Sequence, residues 1–434
     1  MSTETALSSN PTTAPAANTP RRVMIASLAG TTIEFYDFYI FATAAALVIG
    51  PTFFPAESDR IQILAAFMSF GLAFVARPIG ALLFGHFGDR VGRKSTLVAS
   101  LVLMGGATVG IGLLPSYHTI GIAAPILLCV LRFCQGLGIG GEWGGAALLA
   151  TENAPAGRRG LFGMFPQLGP SLGFLLANGV FLVILLTLDD DAFMAWGWRI
   201  PFILSTLLVA LGLYVRTTLV ESTVFEKAQA QKPVRAPVAE LLRNHRIPLL
   251  QGTLAMVSCY AIFYITTVFT LNYATHTLGL NRDIFLGMLC IAVLCMAVAT
   301  PISAAACDRF GRKPVIISGL VFTIVTGSML NSLVGSGSLI NTQLFLCMGL
   351  TAMGWIYAPM GALLPELLPT QVRYTGASLA YSLAGIFGAS LAPYAAQALV
   401  ESGGLGWVGG YIIGMAALSL LAMFTIRETR HDRL

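Results

Sequence analysis

Charge is scarce in this chain. Only 10% of its 434 residues are Asp, Glu, Lys or Arg, against about 25% in an ordinary soluble domain, while 56% are hydrophobic. That scarcity excludes a soluble globular enzyme, and the apolar content excludes a disordered chain. The 46 glycines keep no three-residue period, so the chain is not collagen-like either. Cysteine is sparse and scattered: six of the seven lie within apolar runs, Cys307 sits at the edge of one, and none forms a C-x-x-C pair. Neither a disulfide framework nor a metal site is expected from that spacing. A phosphate-cradling G-x-x-x-x-G-K-[ST] loop is missing, which excludes a self-contained ATP-driven pump, and no paired-His site or nucleophile elbow points to an enzyme. What remains is a polytopic membrane protein.

Long apolar runs are what the chain has instead. Twelve stretches reach the length of about 20 residues needed to cross a bilayer, beginning near Met24, Ile61, Ser95, Ile122, Leu161, Trp198, Ile247, Ile284, Pro314, Thr342, Gly376 and Leu405. The expected fold is therefore all-α, with 12 transmembrane helices in two pseudo-symmetric six-helix bundles. Residues 1–22, rich in Ser, Thr, Ala and Pro, form a disordered tail in this reading and not a cleaved signal peptide. Residues 23–218 make the first bundle, 219–246 a polar linker, 247–427 the second bundle and 428–434 a short tail. Of the 25 Lys and Arg, 20 fall in the segments on one side of the expected membrane and three (Arg60, Arg199, Arg282) on or near the other. The positive-inside rule then places both termini in the cytoplasm of a cell that keeps this protein in its inner membrane, and it accounts for the net charge of +5 without nucleic acid.

Two loop signatures occur twice. Asp89, Arg90, Gly92, Arg93 and Lys94 follow the second span, and Asp308, Arg309, Gly311, Arg312 and Lys313 follow the eighth, 219 residues later. Glu152, Pro155 and Arg159 after the fourth span are matched by Glu366, Pro369 and Arg373 after the tenth. Two independent anchors indicate an internal duplication. On these residues the chain resembles the major facilitator superfamily. Glu34 and Asp37 in span one, Arg77, Pro78 and Gly80 in span two, and Arg132, Gln135, Gly136 and the Gly140-Gly141-Glu142-Trp143 run in span four are similar to the metabolite:proton symporters, in particular the shikimate and organic-acid branch. The resemblance implies proton-coupled uptake of organic acids, or in some members of proline and betaine. It also implies a conformational gate built from Asp89, Arg90, Arg93, Asp308, Arg309 and Arg312.

Charges inside spans are expensive, each costing at least about 2.5–3.5 kcal/mol at mid-membrane, and so mark function. Five qualify: Glu34, Asp37, Arg77, Arg132 and Glu142, all in the first half. At about 1.5 Å per residue, Asp37 and Arg132 share a depth, so a mid-membrane pair is expected between them. Arg77, Glu34 and Glu142 lie nearer the inner end and form a second expected cluster, with Arg77–Glu142 a structural or gating pair. Asp37, with Glu34 beside it on the same face, is the candidate proton carrier. Arg132 is the candidate for bidentate capture of a substrate carboxylate. Gln135, Arg77, Glu142, Gln167, Tyr264, Trp355, Tyr357 and Tyr381 are candidate lining residues. Glycines 136, 140 and 144 repeat every four residues and suit close helix packing.

The expected activity is import of a small carboxylate by proton symport and alternating access. Its partners are the substrate, protons and lipid, with no nucleic acid and no cofactor beyond the proton gradient, and a monomer suffices. Gly169, Pro170 and Gly173 in span five approach an antiporter signature without its last glycine, which makes export by antiport the alternative, alongside symport of a zwitterion.

Overall fold

Hydrocarbon offers backbone N–H and C=O groups no partners, so a spanning segment must satisfy them internally, as a helix does. The computed structural model describes residues 20–55, 59–91, 93–155, 157–217 and 237–430, and among them there are helices and no strands. The first half holds α1 (Pro20–Ala44, prolonged by a π-turn Ala45–Ile49 and by Gly50–Phe53), α2 (Asp59–Val91), α3 (Arg93–Leu113), α4 (Ala123–Glu152), α5 (Arg159–Thr187) and α6 (Ile200–Thr217). The second holds α7 (Arg246–Tyr264, prolonged by Ile265–Phe269 and Thr270–His276), α8 (Arg282–Phe310), α9 (Arg312–Val334), α10 (Leu339–Glu366), α11 (Arg373–Gly385, prolonged by Ile386–Ser390 and Leu391–Gly403) and α12 (Leu405–Thr425). Eleven of these pass as membrane spans outright, and α1, bent by 48° after Ala44, makes the twelfth.

Boundaries moved where local chemistry differs from hydropathy. Helix α1 already starts at Pro20, since proline suits a first helical turn. The rest of the expected N-terminal tail, residue 218 of the expected first bundle, residues 219–236 of the expected linker and residues 431–434 of the expected C-terminal tail lie outside the described residues; Pro237–Asn244 of that linker is a short helix. The repeated signature is not a loop. Asp89 and Arg90 belong to the last turn of α2, Asp308 and Arg309 to that of α8, and only Gly311 separates α8 from α9. Its φ of +104° is one that a residue with a Cβ adopts only under strain, so glycine makes this one-residue turn possible.

Packing follows the duplication. In the first half α1 packs on α5, α2 on α4 and α3 on α6; in the second their counterparts α7 and α11, α8 and α10, α9 and α12 pair the same way. The halves meet along two seams, α5 with α8 and α10, and α11 with α2 and α4. Away from the seams the helices turn apolar side chains outward: on α8, Ile284, Ile291, Leu294, Val298 and Ile302 are all about half exposed at helical spacing, as a lipid-facing stripe requires.

Candidate functional site

Five buried charges occupy the interior of the first half: Glu34, Asp37, Arg77, Arg132 and Glu142 are each at most 1% exposed. Asp37 hangs from α1 between α3 and α6. Ser205 donates to its Oδ1, and Thr108 Oγ1 lies 3.1 Å from its Oδ2. No ion pair joins Asp37 to Arg132. Instead Gln135 Nε2 donates to Thr108 Oγ1 at 2.7 Å, and Gln135 Oε1 accepts from Arg132 Nη1 at 2.6 Å. A threonine and a glutamine fill the space between the two charges. Arg132 also donates to Phe70 O at 3.3 Å and lies 3.8 Å over the Phe41 ring. Both Nη groups of that guanidinium are thus engaged within the protein, while its Nε has no hydrogen-bond partner among the described residues.

Arg77 is in the opposite condition. Its carbon Cζ sits 4.4 Å from the centroids of both Phe38 and Phe74, and none of its three nitrogens has a hydrogen-bond partner. The expected Arg77–Glu142 pair does not form; Glu142 Oε1 accepts from Ser100 at 2.9 Å. Close helix packing holds Arg77 there. A Cβ at Gly140 would collide with the Arg77 carbonyl, one at Gly136 with Ala73, and one at Gly80 with Leu137, so the α2 and α4 backbones touch. Glu34 and the tyrosines 260, 264 and 381 act on Arg77 electrostatically, the tyrosines from α7 and α11 of the other half.

Aromatic and amide groups complete this wall. Trp143 stacks on Tyr381 with centroids 4.2 Å apart, and Tyr381 and Tyr357 share a hydroxyl contact of 3.1 Å. Gln167 accepts from Trp143 Nε1 at 2.9 Å and donates across the seam to Tyr357 O at 2.7 Å. Tyr264 packs edge-on against Phe74. Trp355 is not part of it. Its Nε1 donates to Val315 O and Ser318 Oγ, which locks α10 to α9 on the far side of the second bundle. Toward the end of the bundle opposite the termini, a narrow cleft between the halves is lined by Tyr39, Thr43, Asn178, Tyr264, Thr267 and Leu271.

The terminus-bearing end is closed. Asp308 at the end of α8 accepts from the backbone N–H groups of Gly160 and Leu161 at 2.8 and 2.9 Å, capping α5 of the other half, and from Arg312 at 3.2 Å. Glu366 receives both Arg312 Nε and Nη2, and Arg159 at 3.5 Å across the seam. Arg373 lies 3.9 Å from Glu152, and Tyr374 donates to Gly141 O. Of the residues expected to gate, Asp308 reaches across the seam and Arg312 holds it from its own half. Arg309, by contrast, is exposed and lies over its neighbour Phe310. The side chains of Asp89, Arg90 and Arg93 lie outside what the structure describes. Residues after α12 join the cluster, because Thr429 donates to Glu366 at 2.6 Å and Glu428 accepts from the N–H groups of Arg312, Lys313 and Arg430. Burial pushes the Glu428 carboxyl up, but those three N–H donors together with the Arg312 charge hold it below the ordinary value.

Residues 22–236 match the family described as "Sugar (and other) transporter", and residues 253–434 match the "Major Facilitator Superfamily". Over 424 residues the chain is 53% identical to the inner membrane metabolite transport protein YhjE of Escherichia coli, covering 96% of each. The chain belongs to the major facilitator superfamily. Other members similar to it are the shikimate transporter of Escherichia coli, 36% identical over 94% of this chain and 95% of that one, and the proline/betaine transporter of Salmonella typhimurium, 30% identical over 94% and 84%. A solved structure of the proton:xylose symporter XylE, bound to 6-bromo-6-deoxy-D-glucose, superposes with a TM-score of 0.78 at 19% identity, covering 94% of this chain and 96% of that one, and shows the shared major facilitator fold. This superfamily member is a multi-pass membrane metabolite transporter and not an enzyme.

Thr108, Ser205, Ser100, Tyr39, Tyr260 and the edge-to-face pair of Phe38 and Phe74 are the parts of the site that sequence reasoning missed. Hydroxyls are common in spans and carry no periodic signal. The phenylalanines had one available clue: Phe38 is adjacent to Asp37, and Phe74 precedes Arg77 by three residues, on the same helix face.

Proposed function

We propose that this transporter imports a small carboxylate-bearing solute together with a proton, by alternating access. The observation that carries the reading is Arg77: a fully buried, planar guanidinium set against the edge-to-face pair of Phe38 and Phe74, with no hydrogen-bond acceptor among the described residues. Burying a charge without a partner costs several kcal/mol, so the site is suited to an anion that arrives with the substrate. A carboxylate in the plane of that guanidinium accepts two parallel N–H bonds. The tyrosines of α7 and α11 face it from the other half, so a substrate held there touches both bundles and can draw them together. This moves the carboxylate role from Arg132, both of whose Nη groups already donate within the protein, to Arg77, none of whose nitrogens does.

Two of the similar transporters are named for shikimate and for proline and betaine, all of which carry a carboxylate, and this supports the class. Asp37 is the proton carrier in this reading, because it is a buried acid whose two oxygens are each held by a neutral hydroxyl. The excess of Lys and Arg on the terminus-bearing side supports a cytoplasmic position for that closed end. Gly169 and Gly173, the antiporter-like residues, seat α5 against Thr31 and Tyr36 of α1, so packing accounts for them.

Purified protein in proteoliposomes tests the proposal, with labelled shikimate and betaine as probes and a pH gradient as the driving force. Uptake of shikimate should alkalinise the outside, Arg77→Gln should abolish it, and Asp37→Asn should lose uphill accumulation while exchange persists. Acidification outside on entry, or uphill transport by Asp37→Asn, refutes the symport mechanism. Undiminished uptake by Arg77→Gln refutes the site.

A further inference from the structure

Resting on the symport reading, we infer that Thr108 and Gln135 form a hydrogen-bond relay through which the protonation state of Asp37 is passed to Arg132. Their direction shows it. Arg132 donates to Gln135, Gln135 donates to Thr108, and Thr108 donates to Asp37, so three bonds run head to tail from a cation to an anion. Each donor polarises the next, and the chain acts as an ion pair with two neutral side chains inserted.

A protonated Asp37 reverses one link. It becomes a donor and needs an acceptor among the two hydroxyls around it. Thr108 is equipped for the change: its Oγ1 lies 3.0 Å from Met104 O, a second acceptor already within reach, so its own hydrogen can swing there while the oxygen accepts from Asp37. Ser205 has no second acceptor among its hydrogen bonds. With Thr108 turned, its oxygen accepts from Asp37 and from Gln135 at once, and the donors no longer run in one direction. The Gln135 amide is held less firmly, and with it the Arg132 guanidinium that bridges α4 to the Phe70 carbonyl of α2. Proton loading on α1 is thereby transmitted to the α2–α4 contact, the same contact that carries Arg77.

Other ionisable groups act on Asp37 without entering the relay: Tyr36 on its own helix and Glu142 on α4, while α3 and α6 present only the hydroxyls of Thr108 and Ser205. Thr108 and Gln135 are positioning residues, since neither touches the proposed substrate site.

An infrared pH titration of the purified full chain in lipid, with protons as the only probe, reads the relay directly. The protonated-carboxyl band that disappears in Asp37→Asn reports Asp37. Thr108→Val should shift that band and move its titration midpoint by about three- to tenfold in proton activity, the effect of one net hydrogen bond, and Thr108→Ser should restore both. The decisive variant is Gln135→Leu, which alters a residue that makes no contact with Asp37 and should still move the Asp37 midpoint. Gln135→Met, similar in length, uncharged and without the amide, serves the same purpose where the leucine variant does not fold. An Asp37 band and midpoint unchanged by both Gln135 variants overturns the relay and leaves symport standing. A wild-type protein with no band that Asp37→Asn removes overturns the relay and Asp37 as proton carrier together, while shikimate uptake remains a separate measurement.

Discussion

Replacing Asp308 by asparagine should open the terminus-bearing end, and the structure sets the size of the effect. Asp308 accepts from Gly160 and Leu161, so one carboxylate at the end of α8 caps the first turn of α5 in the other half. Asparagine keeps one acceptor oxygen. It gives up one cap bond, about 1 kcal/mol, and the negative charge at a helix N-terminus, about 0.3–2 kcal/mol in a partly buried setting. Part of the contact with Arg312 also weakens. The two cap bonds exist only while α5 and α8 touch, whereas the Arg312 contact lies within the second half, so the cap loss, about 1–3 kcal/mol, is what falls on the closed state. A coupling of that size shifts the population about 5- to 150-fold toward the open form. Spin labels at Ser95 and Gln371, both exposed and on opposite halves near that end, make the shift measurable by pulsed electron resonance on a background without competing cysteines. A long-distance population should grow in Asp308→Asn. Gly160→Ala, whose Cβ would press on Cys307 and Asp308, should push the same way. Distance distributions that agree within about twofold between wild type and Asp308→Asn would refute the assignment of this cap as the closing contact.

Arg77→Met should raise thermal stability by about 1–2 kcal/mol, because the desolvation cost of an unpaired charge exceeds two cation–π contacts worth about 0.5–2 kcal/mol each; melting of the purified variant checks this, and a loss of more than about 1 kcal/mol contradicts it. Gly140→Val forces α2 from α4 at the Arg77 carbonyl and should lower stability by about 1–3 kcal/mol, read from the same melts, with unchanged stability as the contrary result. Glu428 holds the chain after α12 against α9 with a carboxyl kept below its ordinary value of 4.5. Its contribution should therefore be complete above that value and fade as pH falls through the lowered one. Glu428→Gln should melt lower at neutral pH and lose that acid dependence, and identical acid profiles would contradict the assignment.

The twelve spans, the duplication and the five buried charges were visible in the sequence because membranes make charge costly and helix length uniform. Partners were another matter. Asp37 and Arg132 were placed at one depth, yet depth along two helices does not say which side chains lie between them, and Thr108 comes from a third helix. Trp355 and Trp143 look alike in an apolar run; only packing shows that one faces α9 and the other stacks on Tyr381. The glycine repeat of α4 was read correctly as packing, but its three neighbours (α2 at Gly136, Gly140 and Gly141, α3 at Gly145, α11 at Gly144) required the fold.

Three helices carry a π-turn, at Ala45–Ile49, Ile265–Phe269 and Ile386–Ser390. The first two, in α1 and α7, begin at residues 45 and 265, 220 positions apart, one residue from the spacing of the duplicated Asp-Arg signature. A π-turn accommodates an extra residue, and its presence at one register in both copies points to inheritance from the single-copy ancestor. The third has no such twin among the described residues: α5, the counterpart of α11, carries Pro170 within about one turn of the corresponding position. An insertion in one copy and a proline in the other break the same stretch of helix. The two copies thus share a point where the regular hydrogen-bond ladder of the helix is interrupted and differ in the means of interrupting it.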